Sequence, residues 1–431
     1  MKKQLLSTLF IGIDVSLRAH HAVILDFFGN QLASVSFNNN LSGASLITSE
    51  ILRTAVSSKA THVVTAMEAT SFYSFHLCNY LFQSPELAAL NIKVYCLNPK
   101  VTSAYQNTFV DMDKTDPNDA YGIADFARTG KITSEPFNGS AFVALQRLTR
   151  VRLHLVESLA REKSYILTNI FIKFSELAVL NPRDKEDNPF SNRFGATSVA
   201  VLTDYLSPDE IAYAPVEELI DFLCEKGKSR FSDPEAKAKL LQRAARDSYR
   251  LDKAQYEPLN AAIAASFNCI KSFEKEIKTI DSAIEKAVKG LSSNGYQCLL
   301  SIPGFGPVIS AGIIAEIGFI DRFKSEEKLA KFAGLTWRKK QSGRLTSDIT
   351  YMTKSGNKYL RYYLGEAVMS LIKNHNPEYT AFYHKKRNEA TRFQHKRALA
   401  LTSRKLVRLI YALLRNNQLY ISTRGAVEAT T

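Results

Sequence analysis

The sequence is poor in cysteine, with five residues in 431, widely spaced and without a CxxC pair. This pattern predicts neither a disulfide framework nor a zinc site, and it favours a reducing cytoplasm. No apolar run approaches the roughly 18 residues that a membrane span needs, so no membrane partner is expected. With 45% hydrophobic and 23% charged residues, the chain is typical of globular proteins and long enough for about two to three domains.

Acidic residues are scarce in one segment. The chain carries a net charge of +14, yet residues 1–300 hold equal numbers of basic and acidic side chains, 33 of each. Residues 301–431 hold 23 basic and only 9 acidic side chains, so they carry the whole excess. Such a segment predicts a surface that binds a polyanion, because contacts with phosphates release condensed counterions. A solvated basic surface that serves solubility is the alternative.

The first 130 residues follow the order βββ-α-β-α-β-α, in which the first three strands are consecutive and antiparallel. This order is that of a ribonuclease-H-like α/β domain. The strands are predicted from apolar or alternating runs at Leu9–Val15, His21–Asp26, Leu32–Phe37, His62–Met67 and Ile92–Cys96.

The period of the apolar residues changes to that of a helix after residue 142. From Phe142 to Leu177 they recur at intervals of three, four and seven residues. This spacing predicts a long amphipathic helix, either a coiled-coil arm or a core helix of a bundle. A second long helix, about Tyr256–Leu291, is expected to pack antiparallel against it. Residues 181–245 between them are polar and mixed, as in an insertion or small helical subdomain.

The predicted fold class is therefore α/β plus α, in three parts. Residues 1–135 form the catalytic α/β domain, and residues 136–294 form a helical arm with its insertion. Residues 295–431 form a basic helical domain.

Four carboxylates are expected at one end of the sheet. Asp14 ends the first strand and Glu68 ends the fourth, and these strands are neighbours in the predicted fold. Asp116 and Asp119 lie three residues apart at a helix start, where Cβ atoms are about 5–6 Å apart. Converging carboxylates repel one another, and divalent cations between them would explain the cluster. The alternative is structural, because an Asp before Pro117 is typical of a helix N-cap.

Two C-terminal motifs are typical of contacts with phosphates. The sequence Leu300–Pro307 followed by Val308–Ile317 predicts a helix-hairpin-helix, in which Gly304 and Gly306 let backbone N–H groups approach phosphate oxygens. The alternative is a plain turn between helices. Beyond it, Ser342 lies among glycine and cations but has no adjacent base to activate its hydroxyl, so local chemistry favours a serine that only contacts phosphate. Further cations expected to bind nucleic acid are Arg338, Lys339, Lys340, Arg344, Lys354 and Arg361.

Taken together, GIDVS at Asp14, AMEAT at Glu68, KTDPNDA at Asp116 and Asp119, SIPGFGP and QSG at Ser342 resemble the DEDD transposases of the IS110/IS1111 insertion sequences, relatives of the Piv DNA invertase. The resemblance covers residues 1–130 and 295–410. It implies a RuvC-like N-terminal domain and a C-terminal transposase domain with a serine nucleophile.

The same resemblance implies the chemistry and the partners. Asp14, Glu68, Asp116 and Asp119 would bind Mg²⁺, with Mn²⁺ as a substitute, and Ser342 would attack DNA to form a phosphoserine. A structured non-coding bridge RNA would pair with donor and target DNA, and a homodimer or homotetramer would act at DNA in a prokaryotic cytoplasm. One alternative is a metal-only RuvC-like nuclease or junction resolvase. Another is a non-catalytic RNA- or DNA-binding protein.

Overall fold

The chain, described here from a computed structural model, divides into two compact units, Met1–Ala141 and Phe142–Thr431. The boundary predicted near residue 135 lies close to the division between the units, and the one near residue 294 lies inside the second unit. The three-part division stays a prediction. The structure describes residues 2–69, 72–109, 113–132, 134–180, 187–291, 294–338, 341–342, 345–346 and 351–421.

The first unit is a mixed α/β domain, as predicted. Its elements are α1 (Lys2–Leu6), β1 (Thr8–Val15), β2 (Ala19–Leu25), β3 (Gln31–Asn38), α2 (Leu41–Ser58), β4 (His62–Glu68), α3 (Phe75–Gln83), α4 (Pro85–Ala88), β5 (Lys93–Leu97), α5 (Pro99–Gln106) and α6 (Asp116–Arg128).

One five-stranded sheet with the strand order β3-β2-β1-β4-β5 organises this unit. Strands β1, β2 and β3 form an antiparallel meander, whereas β4 runs parallel to β1 and β5 parallel to β4. This arrangement is compatible with the ribonuclease-H-like class expected from the sequence, which stays a prediction in its details. The parallel pairing of β1 with β4 matters for the site, because it brings the carboxyl ends of both strands to one edge.

The two faces of the sheet are covered by different helices. Helix α6 packs against one face, where Phe10, Val23 and Ala66 contact Ile123 and other apolar residues of the helix. Helices α2 and α3 cover the other face, which includes Ile11 and Met67. Because side chains alternate along a strand, successive residues of β1 and β2 serve opposite faces.

The second unit is almost entirely helical. Its elements are α7 (Val143–Lys173), α8 (Ser175–Val179), α9 (Ala196–Asp204), α10 (Pro208–Ala212), α11 (Val216–Gly227), α12 (Pro234–Asp247), α13 (Lys253–Gly290), α14 (Asn294–Leu300), α15 (Pro307–Ile317), a 3₁₀ turn (Ile320–Arg322), α16 (Glu326–Phe332), β6 (Trp337–Arg338), β7 (Gln341–Ser342), β8 (Leu345–Thr346), β9 (Tyr351–Met352), α17 (Lys358–Lys373), α18 (Pro377–Asn388) and α19 (Gln394–Asn416).

The two longest helices, α7 and α13, pack against each other. Ion pairs from Arg152 to Asp281 and from Lys163 to Glu274 show that they run antiparallel, as predicted. The short helices α8–α12 pack at one end of this pair and share its apolar core. The described part of the insertion is therefore a small helical subdomain.

Helices α14–α17 and α19 form a separate core at the other end of α7 and α13. Helix α15 is buried along most of its length, since every residue from Ser310 to Ile317 is buried. Among the residues that the structure describes, none of the helices combines the length and apolarity that crossing a membrane requires.

Candidate functional site

Asp14 and Glu68 lie side by side at the carboxyl edge of the sheet. In the parallel ladder, Ile13 is aligned with Met67, so Asp14 and Glu68 are the next aligned positions and share a face. Both are half-buried. The Thr102 hydroxyl at the start of α5 donates to the Glu68 carboxylate, which holds that side chain in place.

Asp116 and Asp119 lie in the first turn of α6, which covers the same face of the sheet. The alternative that Asp116 merely caps this helix is wrong. Thr115 is the N-cap, and its side chain accepts from the Asn118 backbone N–H at 3.4 Å. Since a threonine supplies the cap, the exposed carboxylate of Asp116 is available for another role. Asp113, a nearby acidic residue, is exposed, and Asp111 lies outside the described residues.

The four carboxylates lie within electrostatic reach of one another. Burial, and then the negative charges of Asp116, Asp119 and Glu68, raise the pKa of Asp14 to about 6. Burial also raises the pKa of Asp119, a shift that Lys114 opposes and that Glu68 and Asp116 increase. Burial and neighbouring negative charges both disfavour the charged form of a carboxyl, and a bound cation would offset both effects.

The chemistry of this cluster suits a hard divalent cation, because Mg²⁺ prefers carboxylate oxygens together with water. Within the described residues, however, no three histidine, cysteine, aspartate or glutamate side chains lie close enough together to hold a metal as they stand. The donors and the charge therefore fit a cation, while the carboxylates stand further apart than direct ligands of one ion.

Gly12 sets how closely α6 approaches the sheet, a role that sequence reasoning missed. A Cβ atom at this position would lie 2.1 Å from the Ala120 carbonyl oxygen and 2.2 Å from the Ala124 amide nitrogen. Ordinary contacts of a Cβ atom begin near 3.4 Å. Only glycine therefore allows the helix that carries Asp116 to pack directly on the strand that carries Asp14.

His21 is a second residue whose place was not foreseen. It is the cross-strand partner of Asp14, so it shares the face of the carboxylates. Its Nδ1 and Nε2 atoms bond to the Ser36 and Ser34 hydroxyls at 2.7 and 2.8 Å. Burial lowers the pKa of His21, and the charge of Asp116 opposes that shift. The alternation of residues along β2 was the signal that could have revealed it.

Ser342 lies in the second unit, in the two-residue strand β7, and pairs with Leu345 of β8. It is thus part of a short antiparallel pair of strands, and its role stays a prediction. Arg338 lies in strand β6, which pairs with β9 in a separate two-stranded sheet. Three of the cations predicted to accompany the serine, Lys339, Lys340 and Arg344, lie outside the described residues.

The predicted helix-hairpin-helix corresponds to α14, a turn and α15. Gly304 has a left-handed φ of +92°, a conformation that favours glycine, and its carbonyl accepts from the Ser370 hydroxyl of α17. The backbone conformation therefore explains a glycine at this position. Gly306 caps α15, and a Cβ atom there would meet nothing within 4 Å. The side of the turn at Gly306 therefore has room for a ligand.

A buried carboxylate anchors this hairpin to the arm. Glu316 of α15 is 1% exposed and accepts two bonds from Arg150 of α7, at 2.7 and 2.8 Å. Its second oxygen also accepts from Asn357 at 2.6 Å, and Asn357 caps α17. The charge is therefore paired and hydrogen-bonded, as a buried ion requires.

The other two predicted binding residues differ in their surroundings. Lys354 is exposed, with a left-handed φ of +49°. Arg361 is half-buried and donates to the Ala333 carbonyl at 2.8 Å, and burial lowers its pKa. Arg361 therefore supports the end of α16, and a contact with nucleic acid there stays a prediction.

Phe393, between α18 and α19, is an exposed aromatic residue in a basic stretch of the sequence. Its side chain is 78% exposed, and its φ of +51° lies in the left-handed region that bulky residues avoid. The basic patch, as we call it, consists of the exposed cations that flank this residue in the sequence: Lys385, Arg387, Arg392, Lys396 and Arg397.

Comparisons with known proteins match both units. A transposase family model of the DEDD IS110 type covers residues 11–171, and the model of the transposase IS116/IS110/IS902 family covers residues 296–384. Together they span more than half of the chain. The first match contains the four carboxylates, and the second contains the hairpin and Ser342.

Three curated relatives from insertion elements are similar over much of their length. A 42 kDa protein of insertion element IS900 from Mycobacterium paratuberculosis is 27% identical over 71% of this chain and 73% of its own. A 44.8 kDa protein of IS116 from Streptomyces clavuligerus is 25% identical over 52% of this chain and 53% of its own. A candidate mini-circle transposase for IS117 from Streptomyces coelicolor is 24% identical over 78% of each. The chain belongs to the IS110 family of transposases.

Proposed function

We propose that this transposase cuts and rejoins DNA strands with a divalent-cation site at Asp14, Glu68, Asp116 and Asp119 and with Ser342 as the nucleophile. The observation that carries the proposal is the convergence of the four carboxylates. Two neighbouring strand ends and one helix start supply them, and burial together with the negative charges of the other three raises the pKa of Asp14 to about 6. A structural role for the cluster would leave this cost unexplained.

The four carboxylates would hold Mg²⁺, or Mn²⁺ in its place. A bound cation would stabilise the negative charge that develops on the phosphate during strand transfer. The chain's own contribution is to fix the positions of the carboxylates. The pairing of β1 with β4 aligns Asp14 with Glu68, and the hydrogen bond from Thr102 orients Glu68. The close packing at Gly12 brings α6, with its two aspartates, to the same face of the sheet.

Ser342 forms the covalent intermediate. Its hydroxyl loses a proton, its Oγ forms a bond to a DNA phosphorus, and the bond from that phosphorus to the 3′ oxygen breaks. The leaving strand departs with a 3′-hydroxyl, and the protein keeps a 5′-phosphoserine. The 3′-hydroxyl of another strand reverses these steps, so the energy of the phosphodiester is conserved.

The basic second unit binds the nucleic acid. The excess charge of residues 301–431 suits phosphates, and Phe393 within the basic patch suits stacking on an unpaired base. The family resemblance adds a structured bridge RNA and a homodimer or homotetramer to this proposal. Sequencing of the RNA that copurifies with the protein tests the bridge RNA. A discrete RNA encoded beside the gene is expected rather than bulk cellular RNA.

A denaturing gel tests the serine directly. End-labelled DNA that carries the element's ends is incubated with protein and Mg²⁺, and a covalent protein–DNA band is expected. Ser342→Ala should abolish the band, whereas the control Ser355→Ala, which changes an exposed serine nearby, should keep it.

The two rival functions predict other outcomes on the same gel. A metal-only nuclease cuts DNA in Ser342→Ala and never forms the band. A non-catalytic binding protein leaves the DNA intact under every condition. Either result would overturn the proposed mechanism.

A further inference from the structure

Two of the five cysteines lie in direct contact within the first unit. The Sγ atoms of Cys78 in α3 and Cys96 in β5 are 3.0 Å apart, and both side chains are free thiols. A disulfide bond holds its two sulfur atoms about 2.05 Å apart. These two atoms would therefore have to approach by only about 1 Å to form such a bond.

The fold brings a third sulfur atom to the same place. In the parallel ladder of β4 and β5, Cys96 is aligned with Met67, so both residues project to the face of the sheet that α3 covers. The Cys78 Sγ atom lies 3.2 Å from the Met67 Sδ atom. The strand register and the packing of α3 thus position the two thiols against each other.

The two cysteines differ in their access to solvent. Cys78 is fully buried, with 0% of its surface exposed, whereas Cys96 is half-buried and lies in the edge strand of the sheet. A small oxidant from solvent therefore reaches Cys96 first. The other three cysteines, Cys224, Cys269 and Cys298, belong to the second unit. Within the first unit, the thiol that can respond to an oxidised Cys96 is Cys78.

The hydrogen bond between the two thiols also makes them unequal acids. It lowers the pKa of Cys96, a shift that burial opposes. It raises the pKa of Cys78, and burial and the charge of an ionised Cys96 raise that pKa further. The thiolate is the form of cysteine that reacts with oxidants. Acidity and exposure therefore both favour Cys96 as the first residue to react, with Cys78 as the second.

We propose that Cys78 and Cys96 form a reversible disulfide in response to a peroxide and thereby clasp α3 to β5. In reducing compartments, the disulfides that do form are mostly transient and serve catalysis or redox sensing. Packing alone is the alternative, since a buried cysteine behaves as a small apolar residue, but packing does not require a thiol at both positions. The inference goes beyond the proposed function, because it involves neither the four carboxylates nor nucleic acid.

The reaction proceeds in two balanced steps. The Cys96 thiolate attacks one oxygen of hydrogen peroxide, the O–O bond breaks, and the departing hydroxide takes up a proton and leaves as water. Cys96 is then a sulfenic acid. The Cys78 sulfur attacks the Cys96 sulfur, the S–O bond breaks, and the thiol proton of Cys78 leaves with the second hydroxide as water. The two thiols have given two electrons to the peroxide, and a dithiol reductant returns them by thiol–disulfide exchange.

The disulfide would close a loop of the chain from residue 78 to residue 96. This loop contains the remainder of α3, all of α4 and β5 as far as Cys96. A cross-link of this kind stabilises a fold mainly because it restricts the unfolded chain. The oxidised protein should therefore have a higher melting temperature than the reduced protein.

Mass spectrometry tests the pair without any catalytic step. The reduced full-length protein is treated with hydrogen peroxide, its remaining thiols are blocked with N-ethylmaleimide in urea, and it is digested without reduction. A peptide cross-linked through Cys78 and Cys96 is expected. It should form at a rate that does not depend on protein concentration, because both thiols belong to one molecule, and dithiothreitol should remove it.

Cys78→Ala is the decisive variant, and Cys269→Ala, at an exposed cysteine of α13, is its control. In Cys78→Ala, the cross-link and the rise in melting temperature should both be lost. Cys96 should then stop at the sulfenic acid, which dimedone labels. Cys269→Ala should keep the cross-link and the rise in full.

Three products would overturn the proposal. They are alkylation of both Cys78 and Cys96 after peroxide treatment, a cross-link from Cys96 to a different cysteine, and oxidation of Cys96 beyond the sulfenic acid while Cys78 remains a thiol. A melting temperature that does not rise on oxidation would overturn it as well. Because none of these measurements involves DNA, a metal ion or Ser342, such a failure is separate from a failure of the proposed function.

Discussion

The substitution Gly12→Ala tests whether the packing of α6 on β1 positions the carboxylates. The added Cβ atom would lie 2.1 Å from the Ala120 carbonyl oxygen, where ordinary contacts begin near 3.4 Å. The helix that carries Asp116 must therefore move by about 1 Å or more. A displacement of that size costs roughly a hundredfold in rate, and overpacking costs about 1–3 kcal/mol of stability. Since proteins have about 5–15 kcal/mol to lose, the variant should stay folded.

Strand cleavage and urea denaturation are measured on Gly12→Ala and on the control Gly290→Ala. At Gly290, a Cβ atom would meet nothing within 4 Å, so full activity and equal or greater stability are expected there. If Gly12→Ala cleaves DNA within about twofold of the wild-type rate, the close approach does not position the site and the reasoning is refuted.

Three further predictions concern the second unit. Glu316→Ala leaves the half-buried Arg150 without its carboxylate partner and should cost about 3–5 kcal/mol in urea denaturation. The control Glu50→Ala, whose partner Arg53 is exposed, should cost less than about 1 kcal/mol; equal losses would contradict this. Phe393→Gly relieves a left-handed φ, so the melting temperature should rise, while affinity for single-stranded DNA should fall roughly tenfold with the lost stacking; unchanged affinity would exclude stacking. Burial lowers the pKa of Lys173 from 10.5 to about 8, so the unfolded state holds more protons between these values. Stability should rise there with pH by up to about 3 kcal/mol, and Lys173→Met, followed by denaturation at pH 8 and 10, should abolish that rise.

The carboxylate edge was predictable because it depends on topology alone. Strands that run parallel end at the same edge, and the runs that end at Asp14 and Glu68 are visible in the sequence. The start of α6 was also predictable from Pro117. The choice of cap was not, because Thr115 and Asp116 both suit an N-cap and only the backbone conformation of the turn decides between them.

Features that depend on distant packing could not be predicted. Glu316 looks like one acid in an apolar helix until Arg150, 166 residues earlier, is seen to pair with it. Gly12 looks like an ordinary strand glycine until α6 lies on it.

The central claim is that the four carboxylates bind the divalent cation of strand transfer, and a titration with Mn²⁺ followed by electron paramagnetic resonance tests it most directly. Wild-type protein and the control Asp113→Asn, which changes a neighbouring exposed acid, should bind Mn²⁺ equally well. Asp14→Asn should bind it at least about tenfold more weakly, because it removes one of four carboxylates whose charges act on one another. Equal affinity in Asp14→Asn and wild type would contradict the account.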